Sequence, residues 1–417
     1  MPSESVSTTF QAVPASGRVH VIGAGPVGLL LTALLQSVNE IDVRLYEKRS
    51  EYSRSRMVRL APYITADGPD SYREDAIDGD SVDAIFDLAE LDAAIAFRNS
   101  IPDDLMALLR SWTLGFCPLN EIERSLSDLI DERASSSVQR TSVAMTAPDA
   151  IAMLEPGDIL VDSTGSRSLL RELLVPGNSE MDGAANTQLI KFEDALVVTF
   201  LYSQSYDCNE YCKYYKNREN VDYKFIPSVH RTYFDGSLTH VTGIVTITAD
   251  EFAKMPSTFD GHWLRDNFPR VADSMDGFID QIKEETHGEV VGDLEIVRIP
   301  LNLYRARHAT SERWYTMGPF YHPFAITPVF LVGDSAIGSP YFQSISLGFE
   351  CAMSLAQLIG QRLQRDLSPT LMFDRYEEHV YKQWLRVYMR SKLIKHNKDL
   401  LQSVDDTFAL LEKLHLY

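Results

Sequence analysis

Val19-His20-Val21-Ile22-Gly23-Ala24-Gly25-Pro26-Val27-Gly28 decides how this chain is read. Three glycines at G-x-G-x-x-G spacing follow a short apolar run and open another. Arg18 to Gly23 therefore reads as a buried strand, Pro26 to Ser37 as a helix and Ile41 to Glu47 as a second strand. In such a unit the first glycine permits a tight turn. The second lets a pyrophosphate approach the backbone, and the third lets helix pack on strand. The free N–H groups and dipole at the helix start favour an anion there. Glu47 closes the second strand 24 residues after Gly23, where a carboxylate accepts bonds from ribose hydroxyls. Gly23, Gly25, Pro26, Val27, Gly28 and Glu47 are thus the first candidate ligand residues, and the ligand class is a dinucleotide.

Composition narrows the partners. The chain has 417 residues, with 39 Lys plus Arg against 59 Asp plus Glu and a formal net charge of −20. That surplus repels phosphate backbones and anionic lipid, so neither nucleic acid nor stable membrane insertion is expected. The apolar run Val19 to Leu35 has the length of a membrane segment, but Gly23, Gly25, Pro26 and Gly28 at its start suit a strand, turn and helix better. Residues 1–17 are Ser/Thr/Pro-rich and read as a flexible leader without a secretory signal. Of the four cysteines, Cys208 and Cys212 form one C-x-x-x-C pair with no second pair or nearby histidine to complete a zinc site. No metal is expected, and the compartment reads as reducing and cytoplasmic.

Further along, Ser81 to Leu114 reads as mostly helical and Asn120 to Arg133 as an amphipathic helix. Asp158 to Asp162 is a short apolar strand after the turn Glu155-Pro156-Gly157. From about Leu189 to Arg307, β-rich runs dominate: Ala195–Tyr202, His240–Thr248 and Glu295–Leu303. A tyrosine-rich surface excursion, Tyr206 to Tyr223, and a helix-like segment, Phe259 to Lys283, interrupt them. Val329 to Gly333 returns to a buried parallel strand, and helix follows from Gln343 to the end, broken near Ser368-Pro369. The expected fold class is α/β. A Rossmann-like dinucleotide-binding domain (18–178 and 327–368) is interrupted by a β-rich substrate domain (179–326) and followed by C-terminal helices (369–417). The apolar spacing of those helices suits a cover over the core rather than membrane docking.

Three separated stretches resemble the FAD-dependent monooxygenases of the para-hydroxybenzoate hydroxylase type, including the MICAL monooxygenase domain. In the first, Tyr46-Glu47-Lys48-Arg49 leads to Ser53-Arg54-Ser55-Arg56. The resemblance implies that Lys48 and an arginine meet the flavin nucleotide, Arg56 lying nearest the expected spacing and Arg54 being the other candidate. In the second, Asp162-Ser163-Thr164-Gly165-Ser166-Arg167-Ser168-Leu169-Leu170-Arg171, the positions of Gly165, Ser168 and Arg171 match an Asp-Gly motif. Thr164 stands where its aspartate is usual, which puts direct reduction by NADPH in doubt. A Thr-Gly there is similar to two-component styrene monooxygenases, which receive reduced FAD from a separate reductase. In the third, Phe330-Leu331-Val332-Gly333-Asp334-Ser335-Ala336 with Pro340 is similar to the family's Gly-Asp motif, whose aspartate binds a ribityl hydroxyl. Ile337 replaces the family's histidine, and only Gly348 survives from its glycine-rich stretch.

The resemblance implies a monooxygenase using FAD, O2 and NADPH or NADH as transient reductant. It would hydroxylate an aromatic or polyketide-like small molecule through a flavin hydroperoxide. The alternatives are a two-component epoxidase or flavin reductase acting on an alkene, and a flavin-binding protein without turnover. A helix starting near Gln343 would turn its positive end toward the flavin. No side-chain nucleophile or metal is required by this chemistry. Within the aromatic cluster Tyr315, Phe320, Tyr321, His322 and Phe324, His322 is the one candidate proton acceptor, with core packing as its alternative role.

Overall fold

The computed structural model of the protein describes residues 17–39, 41–54, 57–58, 60–65, 96–114, 117–133, 137–175, 185–204, 223, 225–232, 238–316, 322–340, 344–365 and 367–413. Residues 1–16 of the leader, Arg56, the Cys208/Cys212 pair, Phe320, Tyr321, Gln343 and most of the tyrosine-rich excursion lie outside the described residues, as does the first part of the 81–114 segment.

The strand–turn–helix opening forms as β1 (Val19–Ile22), α1 (Pro26–Asn39) and β2 (Val43–Glu47). Next come β3 (Met57–Val58), α2 (Asp103–Leu114), β4 (Cys117–Pro118), α3 (Leu119–Glu132), β5 (Val138–Ser142), α4 (Ala147–Ala152) and β6 (Ile159–Asp162). A third run of the chain, β12 (Val329–Leu331), completes a five-stranded sheet in the order β12-β6-β1-β2-β5. Every pairing in it is parallel. Numbered by chain position, that order is 3-2-1-4-5 read from β5, the doubly wound arrangement whose connections reverse between β1 and β6. A parallel sheet covered on both faces buries every side chain of its inner strands, and all four residues of β1 and of β6 are buried.

The long middle segment forms an antiparallel sheet from β7 (Thr187–Tyr202), β8 (Phe225–Thr232), β9 (Thr239–Ile247), β10 (Thr258–Asp260) and β11 (Val290–Ala306). The strands lie in the order β10-β11-β7-β9-β8. After α5 (Ala249–Lys254), helices α6 (Gly261–Asn267) and α7 (Pro269–Thr286) close one face. There Met275, Phe278, Ile279 and Ile282 meet Leu196, Val198 and Phe200 in a separate apolar core. The helix-like reading of Phe259 to Lys283 needs correcting at its start. Residues 258–260 pair with β11, and the Asp260 carboxylate then accepts the Trp263 N–H at 2.8 Å to start α6. Pro269, which has no N–H to donate, sits at the start of α7 and separates the two helices.

Beyond α8 (Glu312–Thr316) and β12, a two-residue strand β13 (Ile337–Gly338) pairs with β11. The two sheets are thereby joined just after the Gly333 turn. Helix α9 (Ser344–Arg365) packs on α1, and α10 (Pro369–Lys413) packs on α9. Tyr376, Val380, Gln383 and Val387 on α10 are buried, while Arg305 of β11 stacks over Tyr381 and Trp384. The helix is therefore a cover over both layers. No helix among the described residues is long and apolar enough to cross a membrane.

Candidate functional site

A cleft of about 500 Å³ opens where β1 and β6 part. Ligands of doubly wound sheets bind outside the carboxyl ends of the strands at this reversal point. Gly23, Gly25, Pro26, Val27, Glu47, Lys48, Arg54, Gly165 and Asp334 all line it. Three stretches separated by more than a hundred residues therefore meet at one opening.

The glycines differ in what they do. Gly23 has φ +102°, a left-handed conformation that side-chain-bearing residues avoid, and a Cβ there would lie 2.7 Å from the Ser163 carbonyl oxygen. At Gly28 a Cβ would lie 2.0 Å from the Gly23 oxygen and 2.5 Å from Ser163 Oγ. That glycine serves helix packing and does not line the cleft. A Cβ on Gly25 would meet only the tip of the Arg54 side chain, at 3.4 Å. The protein itself leaves the space before Gly25 open, as a backbone that receives a pyrophosphate requires. Gly348 on α9 also packs away from the cleft, where a Cβ would meet Val27 Cγ2 at 2.6 Å. Pro340 is buried and outside the lining.

Glu47 reaches across the glycine turn. Its carboxylate accepts the Ala24 N–H at 2.8 Å, the Arg49 N–H at 2.9 Å and Arg49 Nε at 3.1 Å. Burial opposes its charge, but the bonds from Arg49 and Ala24 outweigh burial and hold its pKa below the ordinary carboxylate value. Arg54 lies beside Gly25 because Glu123, buried on α3, holds its guanidinium. Arg49 also reaches Glu123 at 3.5 Å. Sequence reasoning missed Glu123 and Arg49. The available signal was an acidic residue inside the apolar stripe of Ile122, Leu126 and Ile130, where a charge needs a partner.

Thr164 and Arg167 also line the cleft, and Ser344 and Ile345 bring the first turn of α9 to it. Buried Arg171 bonds the carbonyl oxygens of Ser335 (2.8 Å), Ser166 (3.0 Å), Asp334 (3.1 Å) and Gly165 and lies over the Tyr304 ring. His322 is not among the cleft residues. Its ring stacks on Trp314 with centroids 4.0 Å apart, its Nδ1 accepts the Phe324 N–H at 3.3 Å, and burial lowers its pKa. It caps a turn in an aromatic cluster. No cluster of His, Cys, Asp and Glu among the described residues is arranged to hold a metal.

No family model and no curated protein matches the chain. Solved structures with a similar course include the Diels-Alderase PyrE3 of pyrroindomycin biosynthesis, at TM-score 0.48 and 15% identity, over 95% of this chain and 78% of that one. PqsL, a probable FAD-dependent monooxygenase from Pseudomonas aeruginosa, gives TM-score 0.48 and 14% identity over 94% and 97%. CabE, an aromatic hydroxylase from angucycline biosynthesis, gives 0.47 and 13% over 95% and 73%. Likeness of this size carries no argument about chemistry, so the case rests on the cleft.

Proposed function

We propose that the cleft holds FAD and that the protein is an FAD-dependent oxidoreductase, a monooxygenase acting on a small molecule. The observation that carries this reading is the open space before Gly25, in a cleft that Arg54, Glu47, Gly165 and Asp334 also line. Glu47 suits the adenosine ribose, and Arg54 with the α1 N-terminus suits the pyrophosphate. Asp334, Gly165 and the first turn of α9 suit the flavin half of the molecule. When bound, FAD supplies the redox chemistry, taking electrons from NADPH or NADH and using O2 to oxygenate an aromatic or polyketide-like substrate. The protein's part is to orient the cofactor and exclude water.

A second reading concerns the source of electrons. Thr164 is exposed, and its hydroxyl turns inward to Asp162 at 2.6 Å, so this wall presents no carboxylate at position 164. That favours a separate flavin reductase as partner. The test begins with the visible spectrum of purified protein with and without added FAD. NADH and NADPH oxidation is then followed alone, with aromatic substrates, and with an added reductase. Failure to take up FAD overturns the first reading. Direct, substrate-stimulated NADPH oxidation overturns the second.

A further inference from the structure

Beneath the cleft wall, one buried carboxyl group joins the two turns that face the flavin half. Asp162, the last residue of β6, is fully buried and does not line the cleft. Its Oδ1 accepts the Thr164 N–H at 2.9 Å, the Thr164 hydroxyl at 2.6 Å and the Ser335 hydroxyl at 3.1 Å. Its Oδ2 accepts the Ser168 hydroxyl at 2.7 Å and the Leu170 N–H at 2.8 Å. A carboxyl group removed from water is tolerated when its lone pairs are satisfied, and five donors converge on this one.

Four of those donors belong to the loop that follows Asp162. The fifth comes from elsewhere. Ser335 lies in the turn after β12, is fully buried, and also accepts the Gly165 N–H at 3.0 Å. A relay of Asp162, Ser335 and Gly165 thus crosses between turns 170 residues apart in sequence, and both turns line the cleft through Gly165 and Asp334. The carboxyl group missing at position 164 is present two residues earlier, beneath the cleft wall.

We propose that Asp162 is a positioning residue. Acting through Ser335, it fixes the Gly165 loop against the Asp334 turn, and so sets the affinity for a ligand it does not touch. The proposal rests on the reading of the cleft as an FAD site. It separates two bonds of similar chemistry: Ser335 links the two turns, whereas Ser168 closes a bond within one.

Ser335→Ala and Ser168→Ala are compared for binding of FAD and of ADP, by fluorescence quenching and calorimetry, and for thermal unfolding of the apoprotein. On the same reading of the cleft, ADP would meet Gly25, Arg54 and Glu47 but lacks the flavin half. Ser335→Ala is expected to weaken FAD binding about tenfold, the effect of one buried hydrogen bond, with ADP affinity unchanged. Ser168→Ala is expected to leave FAD affinity within about twofold despite a comparable drop in melting temperature. Asp162→Ala, which removes the acceptor of the Ser335 hydroxyl, should reproduce the FAD-selective loss with ADP affinity unchanged. Equal effects of the two serine variants on FAD, or parallel loss of FAD and ADP, overturn the proposal. Wild-type protein that binds ADP and FAD normally while Ser335→Ala does likewise overturns the proposal alone. Wild-type protein that binds neither overturns the cofactor reading and the proposal together.

Discussion

The cleft end of the parallel sheet and the antiparallel layer are built on opposite principles. Around the cleft, backbone approaches backbone. Gly28 lies against Gly23, Asp162 accepts five bonds, and Arg171 ties down four carbonyl oxygens. In the antiparallel layer, volume fills the space. Phe278 meets Phe225 with ring centroids 5.0 Å apart, surrounded by Leu196, Val198 and Met275. Adding a methyl group should therefore harm the first region, and removing one should harm the second.

The largest effect is expected from Phe278→Ala. Loss of this buried ring should cost about 3–5 kcal/mol in chemical denaturation, while the folded fraction keeps its FAD affinity. A parallel loss of FAD affinity would show that the two regions are coupled. Gly28→Ala tests the opposite principle. The added Cβ overlaps the Gly23 oxygen and should cost about 1–3 kcal/mol of stability, with FAD binding lost as the turn shifts.

The junction of α9 and α10 sharpens the comparison, because charge is buried there. Burial lowers the pKa of His379 to about 4, while Glu350 raises it and Arg386, Arg98 and Lys382 lower it. Between the ordinary value of 6.5 and about 4, the unfolded chain takes up a proton that the folded chain refuses. The His379 contribution to stability should therefore fall as pH drops through this window, by up to about 1.4 kcal/mol per pH unit, and level off below it. Glu377, whose pKa burial raises to about 7, contributes in the opposite direction. His379→Gln should remove the histidine's contribution, so that urea titrations show the variant gaining stability relative to wild type between pH 7 and pH 5.

Gly25→Ala is expected to leave the melting temperature unchanged while weakening FAD binding about tenfold, since the Cβ occupies only the ligand's space. Unchanged affinity would break the distinction between Gly25 and Gly28. The smallest effect belongs to the antiparallel layer's surface. Thr248 and Glu251 cap α5 reciprocally, and Thr248→Ala should cost about 1 kcal/mol or less with no change at the cleft.

Much of this architecture was legible in the sequence. The Val19–Gly28 stretch forms the strand, turn and helix its pattern implied, and Phe330–Asp334 returns to the same sheet beside β6. Strand β5 was not legible. Gln139, Arg140, Thr141 and Ser142 on this sheet edge are exposed, so no apolar run marks it. Arg54 was named as a candidate from the resemblance, but what positions it was not legible, because Glu123, the partner it shares with Arg49, is some seventy residues away on another helix. His322 had the chemistry of a proton acceptor, but its surroundings make it a cap.

The sequence by itself determined the glycine turn, the carboxylate that ends β2 and the return of a third strand. These depend on local backbone geometry and on apolar patterning, both of which are written in consecutive residues. Only the tertiary structure decided which glycine faces a ligand and which faces a helix, and which carboxyl group lies beneath the cleft. Those choices depend on what approaches each residue from distant parts of the chain, a distance that spacing along one strand does not encode.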